Sequence, residues 1–354
     1  MKNWISMTMS VALFLGACAQ KTKPAPTAAP TATTDSDGKP RHPYTDNRGR
    51  DDVLAGGVKM IPIQTPAGTF KVWTKRVGNN PTIKLLLLHG GPGATHEYFE
   101  AFDSYFPGAE IEYYYYDQLG SAYSDQPDNP ELWDIPRFVD EVEQVRLALG
   151  LDSSNFYLLG HSWGGILAIE YALKYQHNLK GLIVSNMMAS IPAYNKYAHD
   201  VLMPKMEPNV LAKVLAFEAA KDYENPRYAE LLKGYYGEHI LRMPSEQWPD
   251  PVIRAFKHIN RSIYVPMQGP SEMGASGKLV HWDRTAELKQ ITTPTLVIGA
   301  QHDTMDPEHM KWMASEFPHG RYLHCAKGGH MAMYDDQVTY IEGVIQFLHD
   351  IDVH

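Results

Sequence analysis

A serine between two glycines is the first feature of the chain that can perform chemistry. Ser162 lies in the segment "GHSWG" (160–164), between a short apolar run and a longer one. The flanking glycines allow a turn tight enough to raise a serine hydroxyl out of a strand end, and the following helix directs backbone N–H groups toward developing negative charge. The pattern therefore predicts that Ser162 is the nucleophile of a hydrolase.

A serine hydroxyl is a weak nucleophile that needs a base and an acid to orient that base, and in this arrangement both follow it in the chain. Asp303 comes where a buried apolar run ends, and His330 lies in a glycine loop before the last helix. Both positions fall at the carboxyl edge of a parallel sheet, where active sites form. His324 and His302 are alternatives, but one lies inside the predicted last strand and the other is beside the acid. We therefore predict Asp303 and His330 as the partners.

The glycine-rich segment "HGGPG" (89–93) follows a predicted buried strand and suits a second role in the same chemistry. Acyl transfer needs two N–H groups directed at the oxyanion of the tetrahedral intermediate. One donor is expected from Trp163, the residue after the nucleophile, and the other from Gly91. The alternative is a glycine turn that merely fits a tight bend, and the serine motif downstream favours the oxyanion hole.

Alternating apolar elements predict how these residues are positioned. Segments 57–63 and 69–75 predict two strands joined by a turn at 65–68. Further apolar runs predict strands covered on both faces at 83–88, 111–116, 156–159, 181–184 and 295–299. One predicted helix face carries Phe138, Val142, Val145 and Leu149. This alternation predicts an α/β fold, a mostly parallel sheet with helices on both faces.

One long segment interrupts the alternation. Residues 189–285 carry helical patterns and little strand signal, so we predict an inserted helical cap there. The cap divides the hydrolase core into a first part, 51–188, and a second part, 286–354.

Several motifs together resemble a known family. The segments "HGGPG", "DQLG" (117–120), "GHSWG", "QGPSEM" (268–273) and the closing "GGH" (328–330) are similar to those of proline iminopeptidases and the related amino-acid amide hydrolases of the α/β-hydrolase fold. The resemblance runs from roughly residue 58 to the end. It implies release of an N-terminal residue, often proline, from a small peptide or an amino-acid amide, without a cofactor or a metal.

The resemblance also assigns a substrate-binding residue. In the family a cap carboxylate in a GPxE segment holds the cationic amine of the substrate, and Glu272 matches it here. The alternative for Glu272 is a solvated loop carboxylate. The chain departs from its relatives at Thr304, where several carry a second glutamate, and at 121–124, which reads "SAYS". Thr304 weakens the match in amine recognition. Asp306 is near it in sequence, but no pattern shows that Asp306 replaces the missing glutamate.

The N-terminal segment predicts export and a membrane anchor. Lys2 and a short apolar region precede "LGAC" (15–18), which resembles the bacterial lipobox, so 1–17 is predicted to be a signal peptide and Cys18 to carry lipid. Residues 18–50 are rich in Pro, Ala and Thr and predict a flexible tether. The protein is then held at a membrane of the bacterial cell envelope, facing the periplasm or the exterior. A plain signal peptide and an uncleaved transmembrane anchor are the alternatives.

Composition narrows the classes of partner. The net charge of −9 argues against a nucleic-acid binder, which needs a basic face. The sequence contains no CxxC and no HExxH motif, so no sequence pattern supports a metal site. No pattern specifies an oligomeric state. Two other functions remain open: an esterase, lactonase or amino-acid amidase with the same triad, and an anchored binding protein on an inactive hydrolase fold, which a complete triad disfavours.

Overall fold

The structure is a computed structural model that describes residues 44–47 and 49–353. The predicted signal peptide (1–17), the lipidation site Cys18 and most of the tether (18–50) lie outside the described residues. Those three remain predictions from the sequence.

Eight strands form one sheet in the order β1-β2-β4-β3-β5-β6-β7-β8. The strands are β1 Val58–Thr65, β2 Gly68–Val77, β3 Lys84–Leu88, β4 Glu112–Asp117, β5 Phe156–His161, β6 Gly181–Ser185, β7 Thr295–Ala300 and β8 Gly320–Cys325. Strand β2 is antiparallel to β1 and β4, whereas all pairs among β3 to β8 are parallel. The carboxyl ends of the six parallel strands therefore meet at one edge.

Helices cover both faces of the sheet. The α-helices of the described residues are α1 Ile135–Leu149, α2 Trp163–Tyr175, α3 Ile191–Tyr197, α4 Pro208–Ala220, α5 Pro226–His239, α6 Asp250–Lys257, α7 Arg261–Met267, α8 Pro307–Glu316, α9 Ala332–Asp335 and α10 Gln337–Asp352. One apolar core contains side chains of α1, α2 and α8, and a second contains those of α10 and the 3₁₀ helix His96–Ser104.

Strand β3 explains why the parallel strands read as continuous apolar runs. Leu86 and Leu88 belong to one core and Leu85 and Leu87 to the other. Successive side chains of a strand point to opposite faces, so a strand with helices on both sides must be apolar at every position. The predicted fold class, a mostly parallel sheet with helices on both faces, is confirmed.

Helices α3 to α7 all lie between the end of β6 and the start of β7, in the region predicted as the cap. Part of this region has an apolar cluster of its own, made of Leu202, Val214, Tyr228, Leu231, Leu232, Tyr235 and Met273. Arg254 of α6 pairs with Glu97 at 2.7 Å and with Glu100 at 2.5 Å. These ion pairs attach α6 to the segment that follows β3. None of the helices within the described residues is long and apolar enough to cross a membrane.

Candidate active site

The turn at Ser162 has the strained backbone that a raised serine requires. Ser162 has φ 55° and ψ −126°, a positive-φ conformation that side-chain-bearing residues rarely adopt, between the end of β5 and the first residue of α2. A Cβ on Gly160 would lie 2.0 Å from the carbonyl oxygen of Gly164, and one on Gly164 would lie 2.1 Å from that of Leu88. Only glycine fits at either position, so the two glycines of the motif are explained by close backbone contact.

His330 is held by a buried carboxylate. Its Nδ1–H donates to Asp303 Oδ1 at 2.7 Å, and Asp303 is fully buried. Burial acts to lower the pKa of His330, but the charges of Asp303 and Glu272 and the hydrogen bond to Asp303 outweigh it and raise the pKa above its ordinary value. Because Nδ1 carries its hydrogen toward Asp303, the neutral ring leaves Nε2 as the basic nitrogen.

Asp303 is itself held by neighbours that the sequence analysis did not identify. Asn186, directly after β6, donates from Nδ2 to Asp303 Oδ2 at 2.7 Å. The Thr304 hydroxyl and the Met305 N–H each donate to Oδ1 at 3.2 Å. Thr304, the residue that departs from the family pattern, is thus a buried support for Asp303. Asp306 accepts instead from the Glu308 N–H at 3.0 Å, as the N-cap of α8.

Ser162 and His330 line one cavity with about 450 Å³ of empty space. Among the residues that the structure describes, the Ser162 hydroxyl makes no hydrogen bond. Contacts between a catalytic nucleophile and its base are commonly loose before substrate binds. Neither of the two alternative histidines, His302 and His324, is among the residues that line this cavity.

A hydrogen-bond chain joins three loops behind the cavity. The Gly90 N–H donates to the Tyr98 hydroxyl at 2.7 Å, which lies 3.1 Å from Nδ1 of His161. Nε2–H of His161 donates to the carbonyl oxygen of His330 at 2.8 Å. Burial and the nearby His330 lower the pKa of His161 to about 3, so His161 is neutral and its Nδ1 accepts from Tyr98. The chain fixes the glycine loop against both the serine turn and the His330 loop.

A buried histidine sets the direction of one predicted oxyanion donor. Nδ1 of His89 lies 2.9 Å from the Gly90 carbonyl oxygen, which can only accept, so Nδ1 carries the hydrogen. Burial lowers the pKa of His89 to about 4, in agreement with a neutral ring. In a trans peptide the N–H points opposite to the C=O. The Gly91 N–H is therefore directed away from His89, and Gly91 lines the cavity that Ser162 lines.

The second predicted donor is tied to the same loop by Gln118, from the "DQLG" segment. Gln118 donates from Nε2 to the His89 carbonyl oxygen at 3.0 Å and from its backbone N–H to His89 Nε2 at 3.1 Å. Its Oε1 accepts from Trp163 Nε1 at 2.9 Å. The backbone N–H of Trp163 is the first of α2 and has no acceptor within the helix. One glutamine thus connects the glycine loop to the serine turn.

Glu272 reaches the cavity from the cap. The Tyr264 hydroxyl donates to Glu272 Oε1. The backbone of Glu272 is held by three further tyrosines. Its N–H donates to the Tyr236 hydroxyl at 3.3 Å, and its carbonyl accepts from Tyr194 at 2.8 Å and from Tyr235 at 3.4 Å. Glu272 lines the same cavity as Ser162 and has no ion pair among the described residues. Burial raises its pKa. It is therefore a partly buried, uncompensated carboxylate, not a solvated one.

Three groups thus lie around one cavity: the His330–Asp303 pair, Ser162 with the backbone amides of Gly91 and Trp163, and the carboxylate of Glu272. This combination can transfer an acyl group from a substrate with a positive charge close to the scissile carbonyl. In the part of the chain that the structure describes, no three or more His, Cys, Asp or Glu side chains are grouped so as to hold a metal ion.

Comparisons with known proteins give the family context. A family model of the alpha/beta hydrolase fold matches residues 84–337. The proline iminopeptidase of Flavobacterium johnsoniae is 58% identical over 294 residues, 83% of this chain and 98% of the relative. That of Elizabethkingia meningoseptica is 59% identical over 296 residues, with the same coverage of 83% and 98%. The crystal structure of the proline iminopeptidase of Mycobacterium smegmatis superimposes with a TM-score of 0.74 at 27% identity, covering 84% of this chain and 99% of that one.

Proposed function

The chain belongs to the α/β-hydrolase family and, within it, to the proline iminopeptidases, and on this premise we propose that it is a serine aminopeptidase. It removes an N-terminal residue, foremost proline, from small peptides or amides through an acyl-enzyme. The observation that carries this proposal is the uncompensated carboxylate of Glu272 facing the cavity that Ser162 and His330 line. A hydrolase without amine specificity has no need of a charge there.

Substrate binding begins with the amine. The protonated N-terminus of the substrate pairs with Glu272, and the Tyr264 hydroxyl holds one carboxylate oxygen in place. A charge-assisted hydrogen bond in a largely water-excluded site contributes about 2–4 kcal/mol. Binding the ammonium also compensates the charge whose burial raises the pKa of Glu272. The pairing places the first carbonyl of the substrate at the serine.

Acylation uses the core residues. Nε2 of His330 takes the proton of the Ser162 hydroxyl as Oγ bonds to the carbonyl carbon, and Asp303 stabilises the resulting imidazolium. The N–H groups of Gly91 and Trp163 stabilise the oxyanion. His330 then protonates the departing nitrogen, and the bond between that nitrogen and the carbonyl carbon breaks. The released amine leaves an ester between Ser162 and the first residue.

Deacylation repeats the proton transfers with water. His330 takes a proton from a water molecule, whose oxygen adds to the ester carbon. The tetrahedral intermediate uses the same two backbone amides. His330 returns the proton to Ser162 Oγ as the ester bond breaks, which releases the free amino acid and restores the enzyme. No step requires a cofactor.

This function can be tested with pairs of substrates that differ only in whether the N-terminal amine is free or acetylated. The wild-type protein is assayed with proline p-nitroanilide and with its N-acetyl derivative, and the residue released from a Pro-X-Y peptide is identified by mass spectrometry. We expect the free-amine compound to be hydrolysed at least 30-fold faster in kcat/KM, because the acetyl group removes the charge that Glu272 pairs with. Equal rates for the two anilides would replace aminopeptidase activity with a general amidase or esterase function.

The proposed location rests on the sequence alone. The lipobox-like "LGAC" motif supports lipidation of Cys18 after removal of residues 1–17. The enzyme is then anchored to a membrane of the cell envelope and faces the periplasm or the exterior. Cys18→Ser is expected to move the protein from the membrane fraction to the soluble fraction. Absence of radiolabelled palmitate from the wild-type protein would contradict the lipid anchor.

A further inference from the structure

A second cavity lies against the catalytic one inside the cap. It has about 1120 Å³ of empty space and shares four lining residues with the catalytic cavity. The shared residues are Phe256, Ile259, Tyr264 and Glu272. We call this second space the cap cavity. Because the amine and the carbonyl of an N-terminal residue are only one Cα apart, a substrate bound at Glu272 and Ser162 has its leaving group close to this shared wall.

The cap cavity is lined by cations. Lys233, Lys257 and Arg261 contribute to its walls, and Glu272 at the shared wall is the one acidic residue among the described residues that line it. Lys257 is exposed and has no ion pair among the described residues. Lys233 pairs with Glu230 at 2.6 Å, but more than half of each side chain is exposed, so water screens that pair.

Arg261 supplies the most specific observation. Its Nε donates to Glu224 at 2.8 Å, at the protein surface. Its Nη2 is buried, yet it has no hydrogen-bond acceptor within the described part of the chain. A buried donor without a partner is unfavourable, and Arg261 lines the cap cavity, so its guanidinium gains a hydrogen bond when the side chain turns toward an acceptor in that cavity.

Aromatic side chains complete the walls of the cap cavity. They are Tyr223, Tyr228, Tyr236, Trp248, Phe256 and Tyr264. Aromatic faces pack against peptide units and side chains of many shapes, whereas the cations select for negative charge. The cavity therefore combines a tolerant apolar surface with a specific charge requirement.

We propose that the cap cavity binds the leaving part of the substrate through a carboxylate. This inference rests on the proposed aminopeptidase function and specifies its substrate class: short peptides whose leaving part carries a negative charge. The charge is supplied by a free C-terminus close to the cleaved bond or by an acidic side chain. Arg261 and Lys257 bind this carboxylate while Glu272 binds the amine, so both charged ends of a short peptide are recognised.

Matched peptides separate the two sources of charge. Pro-Gly-Gly is compared with Pro-Gly-Gly-amide for the C-terminal carboxylate, and Pro-Glu-amide with Pro-Gln-amide for the side chain. We expect the charged member of at least one pair to have a kcat/KM roughly 5- to 30-fold higher, the range expected for a partly screened charged contact. Added salt is expected to reduce this ratio. The pair that shows the preference identifies the source.

Variants connect the preference to the cavity. Arg261→Met and, separately, Lys257→Met are expected to bring the charged-to-neutral ratio toward one. Lys213→Met removes a cation from an exposed position of α4 that does not line the cap cavity, and it should leave the ratio as in the wild type. Lys257 forms no described hydrogen bond, so its variant also provides a test that does not depend on the packing of Arg261.

The outcomes distinguish this inference from the proposed function. If the wild type hydrolyses proline p-nitroanilide but shows a ratio of one in both peptide pairs, the carboxylate site is wrong and the aminopeptidase function stands. A preference that survives both Arg261→Met and Lys257→Met also overturns the site. If proline p-nitroanilide is not hydrolysed at all, the proposed function fails and this inference fails with it.

Discussion

The sheet-based core and the helical cap contribute to one cavity, but they leave their polar groups in different states. In the core, the carboxylate of Asp303 accepts from a histidine, an asparagine, a threonine and a backbone amide. In the cap, the carboxylate of Glu272 accepts from Tyr264 and has no cation among the described residues. The core site is thus complete without a ligand, whereas the cap site has a charge that a ligand must compensate.

This difference separates catalysis from specificity. In the proposed mechanism the core can transfer any acyl group that reaches Ser162, because its proton transfers and oxyanion donors do not depend on the rest of the substrate. In the proposed function the cap determines which carbonyl reaches Ser162, since Glu272 binds a positive charge at a fixed place. Changes in the core should therefore lower activity on every substrate, and changes in the cap should lower activity only on substrates with an amine.

Loss of the nucleophile gives the largest expected effect. Ser162→Ala should lower kcat on proline p-nitroanilide and on a simple ester by about 10⁴- to 10⁶-fold, the usual result when a triad member is removed. The control is Ser153→Ala, at an exposed loop serine, which should retain wild-type rates. Labelling by a fluorophosphonate probe should disappear with Ser162→Ala. A large residual kcat in the purified variant would show that Ser162 is not the nucleophile.

Replacing Gln118, which connects the glycine loop (89–93) to the turn at Ser162, should have an intermediate effect. Gln118→Met keeps the side-chain volume but removes the hydrogen bonds of the Gln118 amide to His89 and Trp163. We expect kcat to fall by about 10- to 100-fold on both the anilide and the ester, with little change in KM, because misplaced donors weaken transition-state binding.

The control for this positioning role is Gln346→Met, at an exposed position of α10. It should leave both kinetic constants unchanged. If Gln118→Met raises KM for the anilide but leaves kcat as in the wild type, Gln118 supports substrate binding and not the oxyanion hole.

The smallest predicted effect is a shift in the pH dependence of activity, caused by the interaction of Glu272 in the cap with His330 in the core. His330 must be neutral to act as a base, and its pKa is raised, so activity should fall as the pH drops through a value above the ordinary 6.5. The negative charge of Glu272 contributes to raising this pKa. Glu272→Gln should therefore move the acidic limb of kcat/KM for the ester to lower pH. A limb at the same pH in both proteins would show that the two groups do not interact.

The sequence could single out the candidate residues of the core because each of them lies at the end of a recognisable element. The turn at Ser162 lies between β5 and α2, Asp303 follows β7, and His330 follows β8. Periodicity identifies such elements, and a parallel sheet brings their carboxyl ends to one edge without further information. The predicted bounds of β1 to β7 agree with the observed ones to within about one or two residues.

The sequence did not reveal the residues that connect these ends. Four residues make hydrogen bonds between neighbouring strands and loops: His89, Tyr98, Gln118 and Asn186. No local sequence pattern indicates which strands and loops lie close enough for such bonds. The cap presents the same difficulty on a larger scale. Its helices were predictable from periodicity, but the packing that buries Glu272 among tyrosines and encloses a second cavity depends on how those helices cross.

One measurement tests most directly whether the core transfers the acyl group and the cap selects the amine. The ratio of kcat/KM for proline p-nitroanilide to that for p-nitrophenyl acetate is determined in the wild type, in Glu272→Gln and in the control Glu246→Gln, an exposed cap residue. We predict that Glu272→Gln lowers this ratio by roughly 30- to 1000-fold, at about 1.4 kcal/mol per decade, with the ester rate nearly constant and the control unchanged. An equal loss on both substrates, or no loss on either, would contradict the account.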